Sequence, residues 1–520
     1  MKNITLLHLG ISRKKYQFLP NWLYIPGPGI YYLDNILRYY GYNTKIIDAV
    51  ESNLTINKIS NVINALKSPI LLCDQFFSSR HELRLILDTI KHKCLIGIGG
   101  HDATFHSKSL DSNELGEQYR NIDFIWQGEI ENGFTDFLGR VNKQNHPLTI
   151  DNISNRVQDL DTLPILDHDN YKSETAFLVT SRGCVSNGCD FCTTPGMYPD
   201  GYRARSAVHV KRELEAIHCT NRWHVAVTDD TFLGFGTDGI TRAGSILDHA
   251  SELGLKMFIM TSPQQIIQAD QCKMMPRFAR SVFKVFLGVE NGDVEALKKL
   301  GKRTEPEKHI LDSAKAIDIM YNNGISPYLG YINFNPETTF QELENSAVFL
   351  HETHDEASNF HYFMNRLSIF EGTRIYDRYK ALGLKFFPQN DMYVYNFFDP
   401  RINYLYNILK TVFDITQVSD FIHFEATHLI YANRLNESRI GKRYEQIKKK
   451  LSDQNFDFFM DVARMARKQN SDAGIFNRIT DYTKTANESI REYKMFIKEI
   501  VSASRLVLKE PLIYLDNISI

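Results

Sequence analysis

Three cysteines fall within nine residues: Cys184, Cys189 and Cys192, in Ser181-Arg-Gly-Cys184-Val-Ser-Asn-Gly-Cys189-Asp-Phe-Cys192-Thr-Thr-Pro195. The whole chain has seven cysteines, so the cluster is not an effect of composition. Thiolates this close on one loop can converge on a single metal centre. An iron–sulfur cube takes four thiolate ligands. A loop that supplies three leaves one iron open to a substrate or cofactor, as catalytic metal sites keep an open position. Other chemistries compete for the same residues. A disulfide framework is disfavoured because the chain is long and cysteine-poor and the cluster is odd in number. Structural zinc wants a fourth Cys or His, and the nearby His209 and His218 sit on an expected helix, where they are poor partners for a loop. Inert thiols are the third alternative.

The elements that must position such a loop can be read from hydrophobic periodicity. Over residues 1–150 strand and helix alternate, which argues for a parallel α/β sheet. Expected strands are Ile4–Leu9, Thr44–Ile47, Pro69–Cys73, Cys94–Ile98 and, last, Asp123–Trp126. Helical spacing covers Ile30 to Tyr40 and Glu82 to Ile90. Ligands of such sheets sit beyond the carboxyl ends of the strands. The pair Gly99-Gly100 falls there, either for close approach to a ligand or simply for a tight strand-to-helix turn. Residues 151–170 read as a polar connector. A second alternation then runs from 171 to 390, with strands expected at Ala176–Val179, His224–Val227, Lys256–Met260, Phe283–Val289, Ser326–Asn333 and Tyr362–Ile369. Six units suit a partial, open strand–helix barrel, whose chemistry also sits at the carboxyl ends of strands. The cysteine loop follows the first of these strands. From 391 to 520 helical patterning dominates, so a helical C-terminal domain is expected.

At 520 residues the chain has room for about three domains. Its 43% hydrophobic and 23% charged content is that of a globular protein. A formal net charge of −2 offers no basic footprint for nucleic acid or an anionic membrane. The start, Met1-Lys-Asn-Ile-Thr-Leu-Leu-His-Leu, has too short an apolar run for a signal peptide and reads as a buried strand. There is no apolar run of 18 residues, so no membrane span is expected. Clustered thiols without a secretion signal point to a reducing, cytoplasmic compartment.

With these residues in place, the chain resembles the radical S-adenosylmethionine (SAM) enzymes that carry an N-terminal cobalamin-binding-type domain. The likeness covers residues 1–385 and rests on motifs in order: Arg182-Gly183-Cys184 through Cys189-Asp-Phe191-Cys192; Tyr202-Arg203-Ala-Arg205-Ser206; Val227-Thr-Asp229-Asp230-Thr-Phe232; Gly288-Val289-Glu290-Asn291; Gly330 to Thr338; and Phe370-Glu371-Gly372-Thr373. There are departures. The cysteine spacing is Cys-x4-Cys-x2-Cys, not the usual Cys-x3-Cys-x2-Cys, and the turn dipeptide Asn187-Gly188 is where an extra residue can be absorbed. Glu371 replaces the proline of the last motif, and Asn335-Pro336 replaces the glycine of the one before. No Asp-x-His-x-x-Gly cobalamin signature occurs in the first 50 residues. The loop after the first strand reads Gly10-Ile-Ser-Arg-Lys-Lys-Tyr-Gln-Phe-Leu-Pro20.

The resemblance implies an N-terminal Rossmann-like parallel sheet, a central partial (β/α)6 barrel and a helical C-terminal domain. It implies a 4Fe-4S cluster on Cys184, Cys189 and Cys192, with SAM on the open iron. Phe191 is then expected near the adenine, Asp229 and Asp230 near the SAM amino end, Glu290 near the ribose, and Gly99 and Gly100 near cobalamin. For Asp229, Asp230 and Glu290 a helix-capping role is the alternative; for Arg203 and Arg205 it is plain solvation. The implied activity is reductive cleavage of SAM to a 5′-deoxyadenosyl radical, with cobalamin-dependent methyl transfer to an unactivated carbon as the leading outcome. A cobalamin-free radical reaction or a cobalamin-assisted rearrangement is the alternative, and a non-catalytic iron–sulfur or zinc sensor or scaffold the competing class. A methylthiotransferase acting on tRNA is disfavoured by the missing second cysteine set and the charge balance. Expected partners are a small-molecule or peptide substrate and an external flavodoxin- or ferredoxin-like electron donor, with no nucleic acid and no membrane. His423-Phe-Glu425-Ala-Thr-His428 lacks the helical i, i+4 histidine pair of a zinc site and is expected to be structural, and His351 and His354 to be surface residues.

Overall fold

The computed structural model describes residues 2–10, 27–50, 52, 54–142, 147–389, 392–432, 435–469 and 472–504. Residues 11–20 of the loop expected after the first strand lie outside them. The first alternation builds strands β1 (Asn3–His8), β2 (Asn43–Asp48), β3 (Ile70–Asp74), β4 (Leu95–Gly99), β5 (Phe124–Gln127) and β6 (Leu148–Asp151), in the order β2-β1-β3-β4-β5-β6. All pairs are parallel. Helices cover both faces, which is why the inner strands β1, β3, β4 and β5 read as largely apolar runs. Leu7, Leu71, Ile98 and Ile125 pack on one side, and Ile4, Leu6, Leu72 and Phe124 on the other. The chain reverses its winding between β1 and β3, and in this topology ligands bind in the crevice outside that switch point.

One expectation is corrected here. Asp123–Trp126 is not the last strand of the sheet, because β6 adds a sixth, pairing with β5 from Phe124↔Leu148 to Gln127↔Asp151. It is an edge strand, and Leu148, Thr149 and Asp151 are exposed. A strand bonded on one side and solvated carries little hydrophobic signal, so its Leu-Thr-Ile-Asp sequence reads as connector.

The second sheet comprises β7 (Thr175–Leu178), β10 (His224–Val227), β11 (Lys256–Thr261), β12 (Val282–Glu290) and β13 (Pro327–Tyr331), in the order β13-β12-β11-β10-β7, again all parallel. Between β7 and β10, the two-residue strands β8 (Ser181–Arg182) and β9 (Arg203–Ala204) pair antiparallel and close the base of the cysteine loop. Helices such as Ala207–Cys219, capped by Ser206, and Gly236–Glu252 back the arc.

A sixth strand at Tyr362–Ile369 does not form among the described residues. Helix His361–Met364 occupies its start, and only an isolated bridge, Phe334↔Arg366, continues the sheet past β13. The apolar run is buried for another reason. Phe363 stacks on Phe459, and Phe360 lies against Phe458 and Tyr482. Short apolar runs buried on all sides cannot be assigned to strand or helix by periodicity.

Phe459 belongs to the C-terminal helices Pro400–Ala432, Arg439–Arg467 and Asp472–Ser504, which follow the hairpin β14 (Phe387–Gln389)–β15 (Met392–Val394). Their apolar faces merge with the barrel interior in one continuous core: Val285 and Leu329 of the sheet share it with Leu405, Phe459 and Tyr482. Among the described residues, no helix is long and apolar enough to cross a membrane.

Candidate active site

The cysteine loop lies at the carboxyl end of β7, gripped from three sides. Asp190 donates its backbone N–H to Gly301 O (3.3 Å) and accepts from the N–H of Ile375 (3.0 Å), and its side chain pairs with Arg374 (3.0 Å). Arg303 Nε donates to Gly188 O at 2.7 Å. The residue that lengthens the loop is accommodated at the turn dipeptide: Asn187 takes a positive φ of 24°, and Gly188 lies buried under the Arg303 side chain. The three thiols are unpaired and half-buried. Burial pushes the Cys189 and Cys192 thiols up, against the opposing pull of Lys302 on the first and of the Thr194 hydrogen bonds on the second. Such thiols deprotonate when a metal binds them. Among the described residues, no three His, Cys, Asp or Glu side chains gather closely enough for one metal ion. A cube offers each thiolate its own iron, so the three sulfurs need not meet at one point to hold it. His209 is engaged elsewhere, by Arg205 and Asp161.

The expected acidic residues have different surroundings. Asp229 is buried, and its carboxylate accepts from the Thr180 N–H (2.7 Å), the Thr180 hydroxyl (2.5 Å) and the Ser181 hydroxyl (2.7 Å). Burial holds it above the usual carboxylate range. It ties the end of β10 to the strand leading into the cysteine loop. Asp230 is exposed and accepts from Thr194 Oγ1 at 2.8 Å, just past Cys192. Glu290 ends β12 at a register shift, in a left-handed backbone conformation (φ 61°) that is strained for a residue with a side chain. Its Oε2 meets Lys302 Nζ at 2.7 Å and His309 Nε2 at 3.4 Å. It is buried, which raises its pKa, but Lys302 and His309 more than offset this and the carboxyl ends below its ordinary value. Phe191 is half-buried against the barrel core.

Arg203 and Arg205 are not solvated. Arg205 is 1% exposed, pairs with Glu213 (2.5 Å) and donates to Val179 O (2.7 Å). Arg203 pairs with Glu129. Arg182 reaches Glu131 (2.5 Å) and Glu129 (3.2 Å). The turn after β5 thereby docks onto the base of the cysteine loop, a connection that neither segment's sequence announces.

In the first sheet, the carboxyl ends of β1 and β3 meet at the switch point through His8 Nδ1 and Asp74 Oδ2. Gly99-Gly100 lies one strand away. Gly100 has φ 104°, and a Cβ there would stand 3.4 Å from Gln75 O, so the tight turn alone accounts for it. The next residue, His101, opens helix His101–Ser109. Its ring stands 6.3 Å from the Tyr198 ring of the barrel, with Asp230 and Arg182 near. Desolvation by the surrounding protein lowers its pKa, against the opposing charge of Asp230. His101 and Tyr198, with Asp230 near, thus bring the carboxyl end of the first sheet close to the second sheet and the cysteine loop. Of the remaining histidines, His423 is structural, and His351 and His354, expected at the surface, are partly exposed in ion pairs. His423 is buried between Tyr493 (2.8 Å) and Ser358 (3.2 Å), His351 pairs with Asp453 (2.8 Å) and His354 with Asp318 (2.9 Å). The side chain of His428 lies outside the described residues.

No family model matches the chain. It is 24% identical over 300 residues to a protein of Methanocaldococcus jannaschii named for methylthiotransferase activity, covering 55% of this chain and 64% of that protein. It is 25% identical over 249 residues to the hopanoid C-2 methylase of Rhodopseudomonas palustris (45% and 46% covered), and 26% identical over 196 residues to the 4′-phospho-dehydrooxetanocin synthase of Priestia megaterium (34% and 26%). The chain spans less than two thirds of the length of each of these relatives. Among solved structures, the cobalamin-dependent SAM radical enzyme OxsB, with aqua-cobalamin and SAM bound, superposes at a TM-score of 0.70 and 15% identity, over 99% of this chain and 83% of that one. The radical SAM methyltransferase TsrM of Kitasatospora setae superposes at 0.54 and 10% identity, over 90% and 99%. From its first sheet to its C-terminal helices, this chain has the fold of the cobalamin-dependent radical SAM enzymes.

Proposed function

We propose that the protein is a radical SAM enzyme that modifies an unactivated carbon, with cobalamin-dependent methyl transfer as its reaction. The observation that carries this reading is the three-thiol loop at the carboxyl end of the first barrel strand, close to where His101 of the first sheet meets Tyr198. The donor set fits the cluster: three unpaired thiols and no fourth ligand on the loop. Cys184, Cys189 and Cys192 would hold it, leaving one iron for SAM. Asp230 and Glu290 are the acidic groups next to that position. Asp229 serves them from behind by fixing the strand ends. Phe191 would border the adenine, and the crevice beside Gly99-Gly100-His101 would take cobalamin. When bound, these groups supply one-electron cleavage of the SAM sulfonium, hydrogen abstraction and the methyl group; the protein supplies position and exclusion of water. The division at residues 150, 170 and 390, the small-molecule or peptide substrate, the flavodoxin- or ferredoxin-like donor and a cytoplasmic location belong to the same proposal. One relative is named as a synthase and not as a methylase, which keeps a radical reaction other than methyl transfer as the second reading.

The test is anaerobic reconstitution with iron, sulfide and hydroxocobalamin, followed by SAM and dithionite, with 5′-deoxyadenosine and bound corrinoid assayed together. Both are expected. Deoxyadenosine without corrinoid would reduce the first sheet to a structural role and remove methyl transfer from the reading. Absence of deoxyadenosine together with absence of SAM binding would overturn the enzyme reading.

A further inference from the structure

The turn Gly301-Lys302-Arg303, at the end of helix Val294–Leu300, belongs to none of the motifs that single out the site, yet it touches the site on two sides. Gly301 closes the helix in the left-handed conformation (φ 65°), and its Cα faces the Asp190 side chain so closely that a Cβ would lie 2.3 Å from Asp190 Oδ2. Its carbonyl accepts the Asp190 N–H. Arg303 holds Gly188 O through its side chain, and its backbone N–H is turned to the Cys189 sulfur. Flanked by these two contacts, Lys302 points inward. It is 9% exposed, bonds Glu290 Oε2 at 2.7 Å and lies 3.4 Å from Gly288 O. Its charge acts on Cys189 and Cys184 as well as on Glu290.

We propose that Lys302 is a positioning residue for the cluster that the cysteine loop would bind: its buried ammonium favours the electron taken up there and fixes Glu290 at the end of β12. This rests on the cluster reading given above. One electron from a low-potential donor of the ferredoxin or flavodoxin class adds one negative charge to the cluster, with no proton or bond change. A fixed cation at short range in a partly desolvated site stabilises that charge, and the Glu290 carboxylate opposes it. The pair therefore makes a prediction of opposite signs that a merely structural role does not share. Removing the cation leaves Glu290 uncompensated and disfavours reduction. Neutralising Glu290 leaves the cation uncompensated and favours it.

The experiment is an EPR-monitored redox titration of the reconstituted full-length protein without SAM, with iron content measured on each sample. Lys302→Met is expected to disfavour reduction by about tenfold, a shift of about 59 mV to lower potential for a one-electron couple. Glu290→Gln is expected to shift the potential the other way, and Lys302→Arg to stay near wild type. A wild-type protein with no cluster sinks the functional reading itself. A clustered wild type with unchanged potentials in Lys302→Met and Glu290→Gln overturns this inference alone. Where Lys302→Met loses the cluster outright, Glu290→Gln decides: a raised potential supports the role, an unchanged or lowered one refutes it.

Discussion

At the scale of single residues, the proposed site separates side chains assigned to a ligand from those that hold the backbone. Cys184→Ala, Cys189→Ala and Cys192→Ala are each expected to abolish iron binding. Cys73→Ala, Cys94→Ala, Cys219→Ala and Cys272→Ala are expected to retain it, since the first two of these cysteines are buried in the first sheet's region and the last two are exposed elsewhere. Iron content and visible absorption of anaerobically purified variants decide this; equal iron loss on changing Cys219 would sink the three-ligand assignment. Asp229 marks the contrast. Replacing it with Ala leaves a backbone N–H and two hydroxyls without their acceptor, a loss of about 3 kcal/mol. Chemical denaturation of Asp229→Ala checks this, and a loss below about 1 kcal/mol would show that the clamp is idle. The cysteines were legible because their spacing is improbable by composition. Asp229 and Asp230 are adjacent and chemically identical, and sequence gives no means of telling that one is buried and saturated while the other is exposed. Lys302 and Arg303 were illegible for a different reason: their partners lie more than a hundred residues away, in Gly188 and Cys189, or around a helix, in Glu290.

Secondary-structure elements repeat this division between local and distant information. Five strands of each sheet could be read because parallel strands covered on both faces are rich in apolar residues. The edge strand β6 and the replacement of the sixth barrel strand were hidden, because what decides them is which neighbour arrives, and local pattern does not record that. Elements are also joined by charge. Glu371, at the turn where the family's proline is replaced, accepts from Arg80 (2.6 Å), Tyr393 (2.6 Å) and His106 Nδ1 (2.9 Å), and Arg80 also pairs with Asp102. The turn thus links helices of the first sheet to the β14–β15 hairpin. Burial alone would raise the Glu371 carboxyl; the hydrogen bond from His106 and the Arg80 charge outweigh it and bring it from 4.5 to about 2. A carboxyl depressed on folding contributes stability that is complete above pH 4.5 and is lost as pH falls through 2. The shift corresponds to about 3 kcal/mol. Glu371→Gln is therefore expected to be less stable than wild type near neutrality, with the difference shrinking between pH 4.5 and 2. Acid unfolding followed by circular dichroism tests it, and parallel curves for the two proteins across that window would refute the linkage.

For the whole molecule, the decisive feature is that the barrel and the C-terminal helices share one core. Patterning showed a change of character near residue 390, which is a change in element type; it could not show that the helices fill the open edge of the arc beyond β13. Phe459 is fully buried and stacks on Phe363. Phe459→Ala is expected to cost about 3–5 kcal/mol. It should also lower the unfolding transition of the barrel and helices together. A calorimetric trace in which the helices melt early and the barrel is unmoved would contradict a common core.

That shared core also sets an order of events during synthesis. The first sheet is complete once Asp151 has emerged, and it can close on the ribosome. The barrel cannot, since its interior still lacks Phe459, Ile475 and Tyr482. At about 5–20 residues per second, roughly a quarter of a minute to a minute separates the appearance of Cys192 from that of Tyr482. Throughout that interval the three thiols stand on an unfinished scaffold, open to oxidation and to stray metal, so loading of the proposed cluster would be best served by completion of that core and by the sulfurs staying reduced until then.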